Sequence, residues 1–473
     1  MKRKIYQHPF LIMSGLYIGA FVGMYSETSL NIALPALSKT FGLPISTIQL
    51  LVVGYMMIIG IVLPFASLLM KIFKVKTLTL FSLTSFFIGS ILSAAAPNFG
   101  LLLTGRMIQG IGTGLILPIL FALTMEVFPI QKLGAAMGMA ALIIMFAPAV
   151  GPTLAGILLS ITSWRLIFAS FAVFLAIAWI LAFKFIESPF ELTKPKIDLL
   201  STITSALGFG GIVLGFSLAS EYSFQSPIVV SSLVIGLIAL IIYVARQLKM
   251  SHPILNLKAL ANPGFLVCTL LVMINFGITL SAMFLLPQYL QNGLLLPVAL
   301  TGMIMLPGGI LNAVVSFASG KLYDKMGPKV LVPLGFIFTL VGAFLFSRFS
   351  TDTSIAYVIF CHLLLMIGIP LSMSPAQSSG LSALPPHLST DGSTIINTFQ
   401  QVIGAICTAL TTCLLQFGQA TSAESNQQSF VNGTHMSTYF VFGLAILGLI
   451  LSFFVRSPQK QVEMTQEILP ENN

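Results

Sequence analysis

At 473 residues the chain is long enough for about three soluble domains of roughly 150 residues each. Its composition excludes them: charged residues make up 7%, where a soluble domain carries about 25%, hydrophobic residues reach 56%, and the mean hydropathy is +1.00. A net charge of +9 would suit a nucleic-acid binder, but the basic residues are spread over many short connections, which speaks against that class.

Apolar runs of about 20 residues fill the sequence, each long enough at about 1.5 Å per residue to cross a hydrocarbon core of about 30 Å. In chain order they predict spans at 10–35, 45–70, 77–96, 99–125, 134–160, 165–186, 199–219, 227–248, 265–290, 298–320, 329–348, 353–373, 393–416 and 438–455. The chain therefore reads as an all-α polytopic membrane protein with 14 transmembrane helices. With the N-terminus in the cytoplasm, 18 of the 22 Lys and Arg fall on the cytoplasmic side, so the positive-inside rule predicts N- and C-termini cytoplasmic.

The basic start at Lys2–Lys4 precedes an apolar run too long for a signal peptide, so a retained first helix is expected. Cys268, Cys361, Cys407 and Cys413 all lie in apolar runs without CxxC pairing and read as packing residues. The segment 417–437, rich in Ser, Gln and Asn, reads as a solvated external loop; it contains a sequon at Asn432 that carries no weight by itself.

An internal repeat organises the chain. The segment Ser67–Lys76 closes the second span, and 253 residues later Gly320–Lys329 closes the tenth, with Leu69 matching Leu322 and Lys76 matching Lys329. The predicted parse is a six-helix unit at 1–187, two inserted helices at 188–255 that are expected to pack at the periphery, a second six-helix unit at 256–455 and a cytoplasmic tail at 456–473. Two related halves around a midplane site is a common transporter construction.

The second copy reads G-x-L-x-D-x-x-G-x-K and resembles the loop motif of the major facilitator superfamily. Gly105–Gly114 (GRMIQGIGTG) followed by Pro118 resembles that family's fourth-helix motif. Ala147–Gly156 (APAVGPTLAG) resembles the fifth-helix motif of proton-coupled exporters, and Glu27–Pro35 (ETSLNIALP) the first-helix motif of the 14-helix drug:proton antiporters. The similarity covers almost the whole chain and is nearest to multidrug exporters of lincomycin-resistance type. It implies a major facilitator fold of two six-helix bundles plus two inserted helices. It also implies Gly151, Pro148, Pro152 and Gly156 as direction-setting residues, and Asp324, Gly320 and Gly327 as a gate. In the first loop copy Lys71 and Lys74 replace the acid and the glycine, which predicts a weakened latch there.

The residues carry a physical reading beside the resemblance. Ala147, Gly151 and Ala155, spaced by four, form a small-residue stripe fit for close packing against the other half, and Pro148 and Pro152 favour a bend. Ionisable groups at membrane depth are costly and mark pathways. Glu27 and Arg106 lie at matching depths, about 12 and 10 Å from the same side. Arg106, Gln109 and Thr113 share a helix face, so Arg106 is expected to reach Glu27 directly or through Gln109 and water, as a proton relay; a static ion pair is the alternative. The family's acid falls at Ser26, and Glu27 is rotated from it by about 100°. Further cavity candidates are Asn31, Asn275, Asn312, His362, Asn397, Gln400 and Gln401, with interhelical bonding or packing as the alternative for each. Gln288, Tyr289 and Gln291 are possible portal residues.

The glycine runs follow no strand and lack the Lys-Ser/Thr of a phosphate loop, so no ATP site is expected, and the five histidines are scattered. The function predicted is proton-driven export of amphipathic drugs by alternating access. The substrates are neutral or singly cationic, the energy source is the proton gradient with no cofactor or metal, and the setting is a monomer in a bacterial plasma membrane. The alternatives are a dedicated exporter of a metabolite, lipid or signalling molecule, and a sensor or membrane enzyme on the same fold.

Overall fold

The computed structural model describes residues 6, 8–188, 192, 198–219, 221–250, 253, 255–385, 388–421 and 426–455, without the side chains at 67, 130–135, 138, 141, 145, 149, 324 and 390. Among these residues there are fourteen α-helices and no strand: α1 (Pro9–Phe41), α2 (Ile45–Ile72), α3 (Val75–Ala94), α4 (Phe99–Val127), α5 (Ile130–Ile161), α6 (Arg165–Phe185), α7 (Leu199–Ala219), α8 (Pro227–Lys249), α9 (Pro263–Gln288), α10 (Val298–Met326), α11 (Pro328–Phe346), α12 (Ile355–Ser382), α13 (Ser389–Ala420) and α14 (Asn426–Ser452). A 3-10 turn, Leu257–Ala261, leads into α9, and a π turn, Tyr289–Gly293, follows it.

The connections alternate between two faces. On the face bearing the α1–α2 connection, hereafter the upper face, Arg165 donates to the Ala96 carbonyl at 3.0 Å and Tyr289 to the Ser350 carbonyl at 2.6 Å. On the lower face the Lys76 amide meets Ser188 at 3.0 Å, and Asn262 donates to the Ala383 carbonyl at 2.8 Å. Helices α1–α6 pack among themselves, as do α9–α14, and the two bundles meet through α5 with α10, α2 with α13, and α1 with α9.

Close approach within the first bundle follows from glycine. In α4, Gly105 and Gly112 face α3, where an added Cβ on Gly112 would stand 2.5 Å from the Ser82 carbonyl, while Gly110 faces the Tyr55 carbonyl of α2. In α5 the parts Leu142–Pro148 and Val150–Ile161 meet at 42°, the bend its two prolines favour.

Two expectations need correction. The polar segment 417–437 is helical at both ends: α13 runs to Ala420 and α14 begins at Asn426. Among its described residues, Gln427 caps neighbouring structure by donating to the Gly293 carbonyl at 2.7 Å. The inserted helices are also not both peripheral. Only α8 is, with Ile235, Ile238 and Ile241 more than half exposed; α7 lies against α2 and α13, one helix from each bundle.

Candidate functional site

Arg106 is fully buried in the first bundle, on α4. Its Nε donates to the Leu51 carbonyl at 3.0 Å, Nη1 to Ser26 Oγ at 2.5 Å and to Gln109 Oε1 at 2.7 Å, and Nη2 to the Ser26 carbonyl at 3.3 Å. The guanidinium carbon sits 4.0 Å from the centre of the Tyr55 ring, whose face attracts a cation. Gln109 passes the connection on by donating to Ser90 Oγ of α3 at 2.9 Å. Tyr55 in turn donates to the Gly23 carbonyl at 2.8 Å and shares a 2.7 Å hydrogen bond with Thr113. One cation thus ties α1, α2, α3 and α4 through neutral acceptors.

The expected Glu27–Arg106 link is not what the structure shows. Glu27 forms no ion pair with Arg106, and Gln109 spends its oxygen on the guanidinium rather than bridging to the acid. The cause is the one-residue offset. Ser26 occupies the direction facing Arg106, and Glu27, about 100° round the helix, points to the seam between the bundles. Both Glu27 oxygens are buried without a hydrogen-bond partner, and Gln401 of α13, in the other bundle, faces the carboxyl. Gln401 also lies against Gly60 of α2, which places the carboxyl where α1, α2 and α13 converge.

The remaining candidates divide. Thr113 is spent on Tyr55 and lies against Gly23 of α1. Asn275 accepts from Ser372 Oγ at 2.9 Å and donates to the Leu271 carbonyl at 3.1 Å, a bond between α9 and α12. Asn312 reaches Met366 Sδ at 3.6 Å, joining α10 to α12. His362 is buried on α12 with its ring against Gly308 of α10, in an apolar surround of Leu286, Phe346 and Leu365, and reads as a packing residue. Asn31, one turn above Glu27, is buried with its Oδ1 unpartnered; Gln400 is buried and Asn397 half-buried on α13 beside Gln401. Glu27, Asn31 and Gln401 therefore remain as the polar lining of the seam.

In α5, Gly151 packs on Thr28 of α1, in its own bundle. Pro152 and Gly156 face α10: Gly302 abuts the Pro152 carbonyl, a Cβ on Gly156 would stand 3.0 Å from the Val298 carbonyl, and Thr153 donates to the Gly302 carbonyl at 2.8 Å. The contact with the other half is thus made one position round from the predicted stripe. Pro148 offers its carbonyl to Thr28 at 3.2 Å. At the α10–α11 corner Gly327 has φ +72°, whereas Gly320 has open space around it; the Asp324 side chain lies outside the described residues.

Sequence reasoning missed Ser26 as the arginine's partner, and Tyr55. Tyr55 is a lone polar residue in an apolar stretch of α2 with no spacing that links it to α4. Gln49, buried on α2 with both amide atoms unpartnered, was also missed.

Two bundles related by chain order, meeting at a polar seam with a buried carboxyl on one side and an amide on the other, have the build of a membrane transporter. The chain belongs to the Major Facilitator Superfamily, whose sequence profile matches residues 16–408. It is 43% identical to the lincomycin resistance protein LmrB of Listeria monocytogenes over 95% of this chain and 97% of that one, and 42% identical to LmrB of Bacillus subtilis over 94% and 95%. Its fold is shared by the Escherichia coli xylose transporter XylE, with a TM-score of 0.65 at 15% identity, covering 96% of this chain and 99% of that one. The human organic anion transporter MFSD10 shares it too, with a TM-score of 0.63 at 14% identity, covering 94% and 100%.

Proposed function

We propose that the chain exports amphipathic drugs in exchange for protons, by alternating access of its two bundles, with both termini and the lower face in the cytoplasm. The likeness to lincomycin resistance proteins over nearly the full length supports drug export. The observation that carries proton coupling is Glu27, a carboxyl at membrane depth with no hydrogen bond on either oxygen, facing the opposite bundle. A carboxylate without donors costs far more to bury than the neutral acid. Closure of the seam therefore favours the proton-bound acid, and opening it to water favours release. Gln401 makes the exchange depend on where the other half stands. Arg106 supplies a fixed positive field beside the acid and moves no proton.

In proteoliposomes, drug uptake by the wild type is expected to drive proton release, and Glu27→Gln to abolish that coupling while drug binding persists. Coupling that survives Glu27→Gln removes Glu27 as carrier. One relative points to a second reading: the riboflavin transporter RibZ of Clostridioides difficile is 24% identical over 96% of this chain. Export of a single metabolite would show as a proton response to one solute and to no drug.

A further inference from the structure

We infer that Gln288 and Gln291 hold the α1–α9 side of the upper seam shut, and that Pro35 creates the acceptor Gln288 uses. The inference rests on the alternating-access reading above. In an α-helix each carbonyl accepts from the amide four residues on, and proline has none to give. Pro35 lies inside α1, so the Asn31 carbonyl has no donor in its own helix. Gln288, at the end of α9 in the other bundle, donates Nε2 to that oxygen at 3.3 Å. One helical turn further, Gln291 Nε2 donates to the neighbouring Ile32 carbonyl at 3.0 Å.

The donors are held in place. Asn292 Nδ2 donates to Gln288 Oε1 at 3.2 Å, which fixes the amide with its nitrogen toward α1. The Tyr289–Gly293 stretch is a π turn, secured from α14 by Gln427 on the Gly293 carbonyl and from the α11–α12 connection by Tyr289 on Ser350. Just beyond it Leu295 has φ +55°, a conformation bulky residues rarely adopt, so the turn is held under constraint.

The same device appears a second time. Pro152 in α5 leaves the Pro148 carbonyl without its helical donor, and Thr28 of α1 supplies one at 3.2 Å. Helix α1 thus bonds a proline-freed carbonyl of α5 on one side and offers its own to α9 on the other. An unsatisfied carbonyl at membrane depth is costly, so the Asn31 oxygen must exchange Gln288 for water whenever the upper end opens. Gln288 and Gln291 are positioning residues for that step and touch neither drug nor proton.

The test uses the full chain in lipid nanodiscs with spin labels at Thr40 and Asp352, both on the upper face on opposite bundles, and with Cys413→Ala to remove the one cysteine that is not buried. Methionine at 288 or 291 keeps the bulk and removes the donor. Each of Gln288→Met and Gln291→Met is expected to raise the ratio of upper-open to upper-closed molecules about three- to tenfold, the worth of one hydrogen bond. Pro35→Ala restores the helical donor to Asn31, so it should raise the open fraction by itself and cancel most of the effect of Gln288→Met, leaving that of Gln291→Met intact. An equal effect of Gln288→Met in the wild-type and Pro35→Ala backgrounds, or no change in label distances, overturns the inference. If Gln288→Met does not fold, a Pro35→Ala distance distribution identical to wild type overturns it as well. Label distances that respond in a protein showing no drug-driven proton flux would retain this gate and reject the proposed function.

Discussion

Replacing Arg106 by Lys separates a structural cation from a coupling acid. The guanidinium makes four hydrogen bonds in three directions, to Leu51, Ser26 and Gln109, and rests on the Tyr55 ring. An ammonium on a flexible stem has no Nε to reach Leu51 and no planar fork to take the Ser26 hydroxyl and carbonyl together, so at least two bonds are left unmade. At about 1.5–3 kcal/mol for a hydrogen bond to a charged group, the loss of two is about 3–6 kcal/mol. Glu27→Gln, by contrast, removes no hydrogen bond and changes volume little, so it should cost less than about 1 kcal/mol. The assay is reversible unfolding of the purified protein in mixed micelles by added SDS, followed by helical circular dichroism. A Glu27–Arg106 ion pair would make both variants similarly unstable. Arg106→Lys as stable as wild type, or Glu27→Gln as damaging as Arg106→Lys, refutes the assignment of roles.

Two further outcomes follow from the lower face. Gly327→Ala places a Cβ at φ +72° and ψ 168°, a backbone region that only glycine adopts readily, and should destabilise the α10–α11 corner by about 1–3 kcal/mol, whereas Gly320→Ala, inside α10 with open space around it, should cause no loss in the same unfolding titration. Asp198, before α7, is held below the usual carboxylate range by its hydrogen bond from Ser201 and by Arg246, which contacts both its oxygens at 3.0 and 2.9 Å. A depressed folded value means that the stabilisation is complete above the free-aspartate value of about 4 and fades as pH falls through the folded one. Protection of the amides at the start of α7, taken relative to their intrinsic exchange rate at each pH, should therefore be high at neutral pH, fall only in acid, and be low throughout in Asp198→Asn.

Much of the architecture was legible because hydrocarbon leaves helices as the economical way to satisfy the backbone, so apolar length alone marks each span. Six of the fourteen helices nevertheless exceed the predicted runs by five residues or more, as α1 does in continuing to Phe41, because polar residues there still find helical partners. The depths of Glu27 and Arg106 were readable and so was the 100° offset, but equal depth does not settle azimuth. The serine at 26, in the direction of the arginine, was the signal that Arg106 would be met by a hydroxyl. The two-sided packing of α7 had a sequence trace in its small and polar residues, Ser201, Thr204, Ser205, Gly208 and Gly211, against the apolar surface of α8. The pairing of Gln288 with α1 had none, because it depends on a carbonyl freed by a proline in another bundle.

The inserted pair also gives the molecule a front and a back in the plane of the bilayer. Helix α7 is wedged over the line where α2 meets α13, with Gly210 against Ile61, and α8 shields it in turn. The opposite line, where α5 meets α10, is bordered by Leu154, Ile157, Met303 and Ile310, all exposed. Acyl chains therefore press on one of the two long joints only, and a lipophilic solute diffusing sideways through a leaflet encounters the joint whose helices carry the prolines and close glycine contacts.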